Sequence, residues 1–396
     1  MKATMLAGLL VCAGLALNGE AYAQKCGGGF RPWVEDFKAE ARQAGISPRV
    51  IAAAFEGVSF DQSVINRDRA QSVFSQSFLQ FSDRMVAQYR LQKGAQVIKQ
   101  NRALFDRIEK QYGVPAPIMV AFWGLETDFG VNLGDMPTIR SLATLAYDCR
   151  RPEKFRKELM AALRIIERGD LSVPQMRGPW AGELGHTQFI PSIYQDYAVD
   201  YDSDGRRDLM RSVPDAMASS ANYLKSIGWR RGEPWLEEVK VPADLPWDQA
   251  DLAIQHPRSQ WARWGVRGVG KPLASDGLQA SLLLPMGRNG PAFLAYPNFR
   301  VYLEWNQSLV YATTAAYFAT RLAGAGPVSR GSGATGFGYA ETKELQRLLK
   351  RRGYDVGEVD GKLGAQTRAA VKAAQLKLGL PADSYPTAEL VQLLNR

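Results

Sequence analysis

Histidine and cysteine are scarce: the 396 residues contain two histidines, His186 and His256, and three cysteines, Cys12, Cys26 and Cys149. Two histidines cannot build a three-histidine zinc site, and three cysteines are too few for a disulfide-stapled scaffold. The apolar run from Met5 to Leu17 falls short of the roughly 20 residues that a membrane-spanning helix needs, so no transmembrane segment is expected. Acid is the minority sign, with 40 Asp+Glu against 49 Lys+Arg and a net charge of +9. A basic chain suits nucleic acid, anionic lipid or an anionic wall polymer, and charge alone does not choose among them. The remaining composition, 46% hydrophobic and 22% charged, is that of a globular protein. Its length exceeds what one hydrophobic core usually supports, so more than one domain is expected.

The N-terminus narrows the partners. Met1-Lys2, the apolar run and Ala21-Tyr22-Ala23 read as a cleavable secretory signal over residues 1–23, the alternative being an N-terminal anchor or a buried helix. Val11 before Cys12 is a poor fit to lipid attachment. The expectation is an exported, periplasmic protein that meets no nucleic acid. Cleavage leaves Cys26 and Cys149, which in an oxidising compartment either pair or stay as two buried thiols. A bridge would close a loop worth about 4–5 kcal/mol in the chain-entropy model.

Helical periodicity dominates from Phe30 to about Leu224. Between 236 and 305 the pattern changes: Glu238 to Val241, Gln279 to Leu284 and Ala292 to Tyr296 look like strands, the last preceded by the turn signal Arg288-Asn289-Gly290. A helix from Ser308 to Leu322 closes a large domain spanning 24–322. Residues 323–339 are Gly/Ser-rich without apolar period, a flexible linker by composition. Residues 340–396 then offer three short helices, at Thr342 to Arg352, Thr367 to Leu378 and Pro386 to Leu394, as a small tethered module.

Three segments carry candidate chemistry. In Pro115 to Gly130, a helix starting near Pro117 and ending at Gly130 is apolar on every face, with Glu126 its first ionisable group, in the last turn. Burial and the negative end of the helix dipole both raise a carboxyl's pKa, as a general acid requires, although a glutamate emerging into solvent fits the position equally. Gly178 to Tyr194 combines glycines that admit a ligand with Trp180, Gln188 and Tyr194 for stacking and amide hydrogen bonds; a Gly-rich turn between packed helices is the plainer reading. His186 there reads as a hydrogen-bonding loop residue. Third, Asp200, Asp202 and Asp204 alternate before Gly205, the oxygen-ligand arrangement of an EF-hand loop with a backbone carbonyl from Arg206, against a solvated acidic turn. Arg211 replaces the bidentate Glu of such loops, and Asp215 could close a longer one.

Together these segments resemble the membrane-bound lytic transglycosylase B family, through Trp-Gly-Leu-Glu-Thr-Asp-Phe-Gly, Ala-Gly-x-x-Gly-x-x-Gln-Phe-x-Pro-Ser, the Asp-rich loop and Ala-Asn-Tyr-Leu, over about Phe30 to Leu322. Residues 340–396 resemble a peptidoglycan-binding module, through Leu345-Gln346, Gly353-Tyr354, Asp360-Gly361, Gly364 and Thr367. The resemblance implies a mainly α fold: a lysozyme-like α-rich catalytic domain with a small β part, followed by the three-helix module. It implies Glu126 as catalytic acid/base; Gln188, Tyr223, Phe155, Trp305 and Tyr311 as substrate-binding residues; and Asp200, Asp202, Asp204, Arg206 and Asp215 as ligands of a structural Ca2+. Phe155 and Trp305 stand where other members carry tyrosine, and Pro179 where they carry a serine beside the substrate.

The implied activity needs no catalytic cofactor. Glu126 protonates the oxygen between MurNAc and GlcNAc, the substrate's acetamido group assists at C1, and the MurNAc C6 hydroxyl then closes a 1,6-anhydro ring. No acidic residue stands out as a second carboxylate, since Asp128, two positions on, points from another helix face. The partners are peptidoglycan glycan strands and the protein is expected to be monomeric. A lysozyme-like hydrolase and a non-catalytic wall-binding protein are the rival readings.

Overall fold

The computed structural model describes residues 28–70, 76–332 and 336–396. The signal-sequence reading and Cys26 lie outside them. Cys149 is disulfide-bonded. No helix among the described residues is long and apolar enough to cross a membrane.

Helices predominate. Among the described residues, six of them between Phe30 and Tyr112 lead to the apolar helix Ala116–Thr127, which lies at the centre of the large domain. Its residues from Ile118 to Leu125 are all buried, so it packs on every side, as its unbroken apolar sequence requires. Pro117 sits in its first turn as expected, but it ends earlier than Gly130. Asp128 takes the left-handed conformation with φ 52° and its N–H returns to the Trp123 carbonyl, stopping the helix at Thr127. Helices Thr138–Tyr147 and Pro152–Arg168 pack on each other, and helix Leu309–Leu322 packs along the central one. Ser308 caps that last helix by accepting from the Tyr311 N–H.

Two antiparallel sheets punctuate the helices. Strands β1 (Met136–Pro137) and β2 (Arg177–Gly178) form a short ladder pairing Met136 with Gly178. The second sheet takes β3 (Leu236–Lys240), β4 (His256–Pro257), β5 (Arg267–Gly268), β6 (Gln279–Leu283) and β7 (Ala292–Ala295) in the order β4-β6-β7-β3-β5. The three strands expected between 236 and 305 are present, each within a residue or two. Phe293 and Ala295 face the main helical core, while Ala292, Leu294 and Tyr296 face a second core with Trp261 and Leu282. The period-two alternation of a strand thus gives β7 two buried faces.

Residues 339–396 form helices Tyr339–Arg351, Ala365–Lys377 and Ala388–Asn395 around their own core of Leu345, Leu349, Val371 and Leu390. The module is seated on the sheet domain. The Arg288 N–H donates to Asp383 at 2.9 Å, Lys372 pairs with Asp251 at 2.8 Å, and Tyr385 joins the main core. Part of the segment expected to be flexible, residues 328–330, is tied down: the Val328 N–H donates to the Tyr317 hydroxyl, the Ser329 N–H to Glu238 Oε1, and Arg330 pairs with Asp83 at 3.0 Å. Composition predicted a free tether because the acceptors that hold it belong to distant elements.

Candidate active site

Glu126 is half-buried at the end of the central helix. Trp305 Nε1 donates to its Oε1 at 3.1 Å, and the Tyr311 hydroxyl donates to the same oxygen. Burial pushes the Glu126 carboxyl up to about 7, against the lowering effect of those two donors, and the nearby Glu183 adds to the rise. Both donors converge on Oε1, which makes Oε1 the acceptor oxygen and leaves the transferable proton to Oε2. Near neutral pH this is a carboxyl able to act as an acid and then as a base.

The Gly-rich loop is locked against that helix. Thr127 Oγ1 donates to the His186 carbonyl at 2.7 Å, and Trp123 Nε1 donates to His186 Nδ1 at 3.0 Å. His186 is therefore the hydrogen-bonding loop residue its sequence context suggested, a buried neutral ring whose pKa burial lowers. Gly178 has a structural reason: a Cβ there would stand 1.9 Å from the Glu183 carbonyl. Leu184 and Phe189 form an isolated antiparallel bridge, and between them Gln188 adopts φ 52°, a conformation uncommon for a residue other than glycine. Its amide Nε2 donates to the Gly185 carbonyl at 2.9 Å. Tyr194 is fully buried, with its hydroxyl donating to the Arg207 carbonyl, so it holds the loop and offers no stacking face.

Aromatic rings surround the acid. Trp305 stacks on Phe122 with centroids 4.2 Å apart, and Phe189 and Tyr223 lie 5.5 and 5.7 Å from it. The structure thus gathers Glu126, Tyr223, Trp305 and Tyr311 from segments far apart in sequence, while the Gln188 amide turns onto the Gly185 carbonyl. Phe155 stands apart, buried in helix Pro152–Arg168 beneath the Arg151 and Lys154 cations.

The acidic loop brings carboxylate oxygens of Asp200, Asp202 and Asp204 within 4.8 Å of one another, a hard-oxygen donor set that suits Ca2+. Asp215 lies outside that group. It is buried and already accepts the N–H groups of Tyr201, Asp202 and Asp208 at 2.7, 3.3 and 2.9 Å, so it braces the loop backbone. The Arg206 N–H turns back onto Asp204 Oδ1 at 2.9 Å.

Residues 29–320 match the transglycosylase SLT domain. The chain belongs to the transglycosylase SLT domain family. Residues 339–394 match a peptidoglycan-binding domain family. Over 241 residues the chain is 33% identical to membrane-bound lytic murein transglycosylase B of Escherichia coli (strain K12), covering 60% of this chain and 64% of that protein. The fold is similar to SltB3 from Pseudomonas aeruginosa in complex with NAG-anhNAM-pentapeptide, with TM-score 0.87 and 41% identity over 93% of this chain and 100% of that one. It is also similar to the Escherichia coli lytic transglycosylase Slt35 in complex with calcium, with TM-score 0.63 and 28% identity over 74% and 93% of the two chains.

In this SLT-domain site, sequence reasoning missed three side chains. Arg90 Nε pairs with Asp128 Oδ1 at 3.0 Å, and the Tyr89 hydroxyl donates to the same carboxylate, fixing the left-handed turn after Glu126. Tyr89 is half exposed beside an open depression of about 420 Å³ that also takes in Lys93 and Val131. The third is Glu183, whose negative charge adds to the rise of the Glu126 carboxyl. Its position five residues before Gln188 was the one available signal, and nothing in sequence aims it at Glu126.

Proposed function

We propose that the protein is a peptidoglycan lytic transglycosylase that cleaves the MurNAc-(β1,4)-GlcNAc bond with a single acid/base, Glu126, and leaves 1,6-anhydro-MurNAc ends. The observation that carries this is the half-buried Glu126 carboxyl, raised to about 7 and held through Oε1 alone. Protonated, it delivers its proton to the glycosidic oxygen. As a carboxylate, it takes the proton of the MurNAc C6 hydroxyl as that oxygen attacks C1. Water is not consumed, and the aromatic groups around Glu126 favour its exclusion. Gln188, Tyr223 and Trp305 would orient the sugars.

The same reading makes the protein exported and periplasmic, monomeric, and bound to glycan strands through residues 339–396 as well as through the site. A structural Ca2+ would be held by Asp200, Asp202 and Asp204 with the Arg206 carbonyl, and Asp215 would brace the loop around it. Support comes from the oxygen cluster and from the calcium complex of Slt35. The disulfide of Cys149 is read as pairing with Cys26.

The rival is hydrolysis, which the Glu183 carboxyl keeps in play. Digestion of purified peptidoglycan by the mature protein and by Glu126→Gln, with products weighed by mass spectrometry, separates the two. Anhydro ends absent from the mutant digest are expected. Reducing MurNAc ends, heavier by one water, would replace the lyase with a hydrolase.

A further inference from the structure

The central helix ends in a way that its own residues do not favour. After Thr127 three residues in a row are left-handed: Asp128 at φ 52°, Phe129 at φ 61° and Gly130 at φ 88°. A left-handed helix stop is usually made by one glycine, and a bulky residue such as Phe129 rarely enters that region. Two non-glycine residues there hold strain, and the turn frays or rewinds unless its surroundings over-determine it.

Three sets of contacts do so. The Asp128 and Phe129 N–H groups both return to the Trp123 carbonyl, the latter at 3.2 Å, and the Asn132 N–H donates to the Thr127 carbonyl at 2.9 Å. The Phe129 ring folds back edge-on to Trp123, with centroids 5.9 Å apart. Glycine at 124 leaves the room for it, since a Cβ there would stand 2.8 Å from Phe129 Cζ. The third set is charged. Arg90 Nε donates to Asp128 Oδ1 at 3.0 Å, with the two side chains only 14% and 23% exposed. Arg90 Nη1 donates to the Met85 carbonyl at 3.1 Å, at the end of helix Phe78–Met85. Arg90 itself stands in the first turn of helix Gln88–Gln100, which packs on the central helix. Its guanidinium thus lashes the turn after Glu126 to two other helices.

We propose that Arg90 and Asp128 are positioning residues for the SLT-domain reaction: their ion pair locks the left-handed turn that closes the central helix, and so keeps the last helical turn, which carries Glu126, in register with Trp305 and Tyr311. Glycine at 128 would relieve the strain, yet it offers Arg90 no carboxylate to hold. A local rule broken in this way, two residues from the acid, marks a position kept for function. Both residues act through the backbone and not on a reacting atom. The inference rests on Glu126 being the acid/base.

The test compares wild type, Asp128→Asn, Asp128→Gly, Arg90→Met, the Arg90→Met/Asp128→Gly double variant and Glu126→Gln, as full-length mature protein on purified peptidoglycan. Two readouts are taken: kcat with KM, and the NMR resonance of the Trp305 indole N–H, which donates to Glu126 Oε1. Asp128→Asn keeps a side-chain oxygen for Arg90 and tolerates the left-handed region, so kcat should stay within about threefold of wild type. Asp128→Gly meets the backbone demand of the turn and removes only the anchor. It and Arg90→Met should each lower kcat by about 10–100-fold with KM little changed, and should move the Trp305 resonance toward that of an unbonded indole. The double variant should fall no further than the worse single one, because the pair acts as a unit. An Asp128→Gly protein with kcat and the Trp305 resonance both unmoved would show that the turn alone suffices, and would overturn the proposal. So would a double variant whose loss is the product of the two single losses. Should Arg90→Met not fold, Asp128→Gly decides, since glycine is unstrained at φ 52°. Activity surviving in Glu126→Gln would instead remove the acid/base reading, while the Trp305 resonance, read without turnover, still reports the brace.

Discussion

The Thr127 hydroxyl donates to the His186 carbonyl at 2.7 Å and accepts from the Gly130 N–H at 3.0 Å. The residue following the acid is thereby fastened to the loop that presents Gln188, so two motifs sixty residues apart move as one body. Thr127→Val keeps the shape and removes both bonds from a buried site. It should cost about 1–3 kcal/mol, read as a lower Tm. The kcat on glycan should fall with it, because the acid and the loop lose their common register.

The raised pKa of Glu126 is also a statement about stability. Its native value of about 7 lies above the ordinary 4.5, so between those values the folded state holds a proton that the unfolded chain has released. Wild-type stability therefore falls as pH rises from 4.5 to 7, and the loss is complete above 7. Glu126→Gln escapes it. The variant should match the wild type near pH 4 and exceed it by roughly 1–3 kcal/mol at pH 8, measured by denaturant unfolding at both pH values.

Tyr311 acts on Glu126 in the opposite sense to Glu183. Its hydroxyl favours the ionised carboxyl, so Tyr311→Phe should move the alkaline limb of kcat upward. Trp305 still holds Oε1, but orientation is poorer, and kcat at its optimum should drop about tenfold or more. A downward limb would contradict the hydrogen-bond geometry.

Calcium should stabilise the acidic loop. With Ca2+ at about 100 times its Kd, the wild type should gain about 2.7 kcal/mol and a higher Tm, and chelation should reverse the gain. Asp204→Asn removes one of the three clustered carboxylates and should abolish most of the response, without altering turnover of short glycans.

Deleting residues 340–396 should weaken binding to whole sacculi and spare cleavage of short soluble glycans. The deletion also uncovers the Leu284 carbonyl, now bonded to Arg368 at 2.7 Å, and Asp251, now paired with Lys372. A lower Tm for the truncated protein is the expected mark of that docking. An unchanged Tm would show that the seat contributes nothing.

Local pattern was enough to place the apolar helix that carries Glu126, the C-terminal helices and most element positions. A helix apolar on every face with one ionisable group in its last turn has few ways to be placed, and Ser308 or the alternating residues of β7 announce their structure within a few positions. Such signals are short-range, so they survive without knowledge of the fold. The tertiary structure alone decided what surrounds Glu126. Trp305 and Tyr311 reach it from 179 and 185 residues away, and the charge of Glu183 is felt there from a loop whose own pattern reads as a turn. It also decided that Asp215 braces the acidic loop's backbone and that residues 328–330 of the Gly/Ser-rich segment are strapped down. Each of these depends on donors and acceptors brought together by packing, and the spacing of residues along the chain carries no record of which will meet.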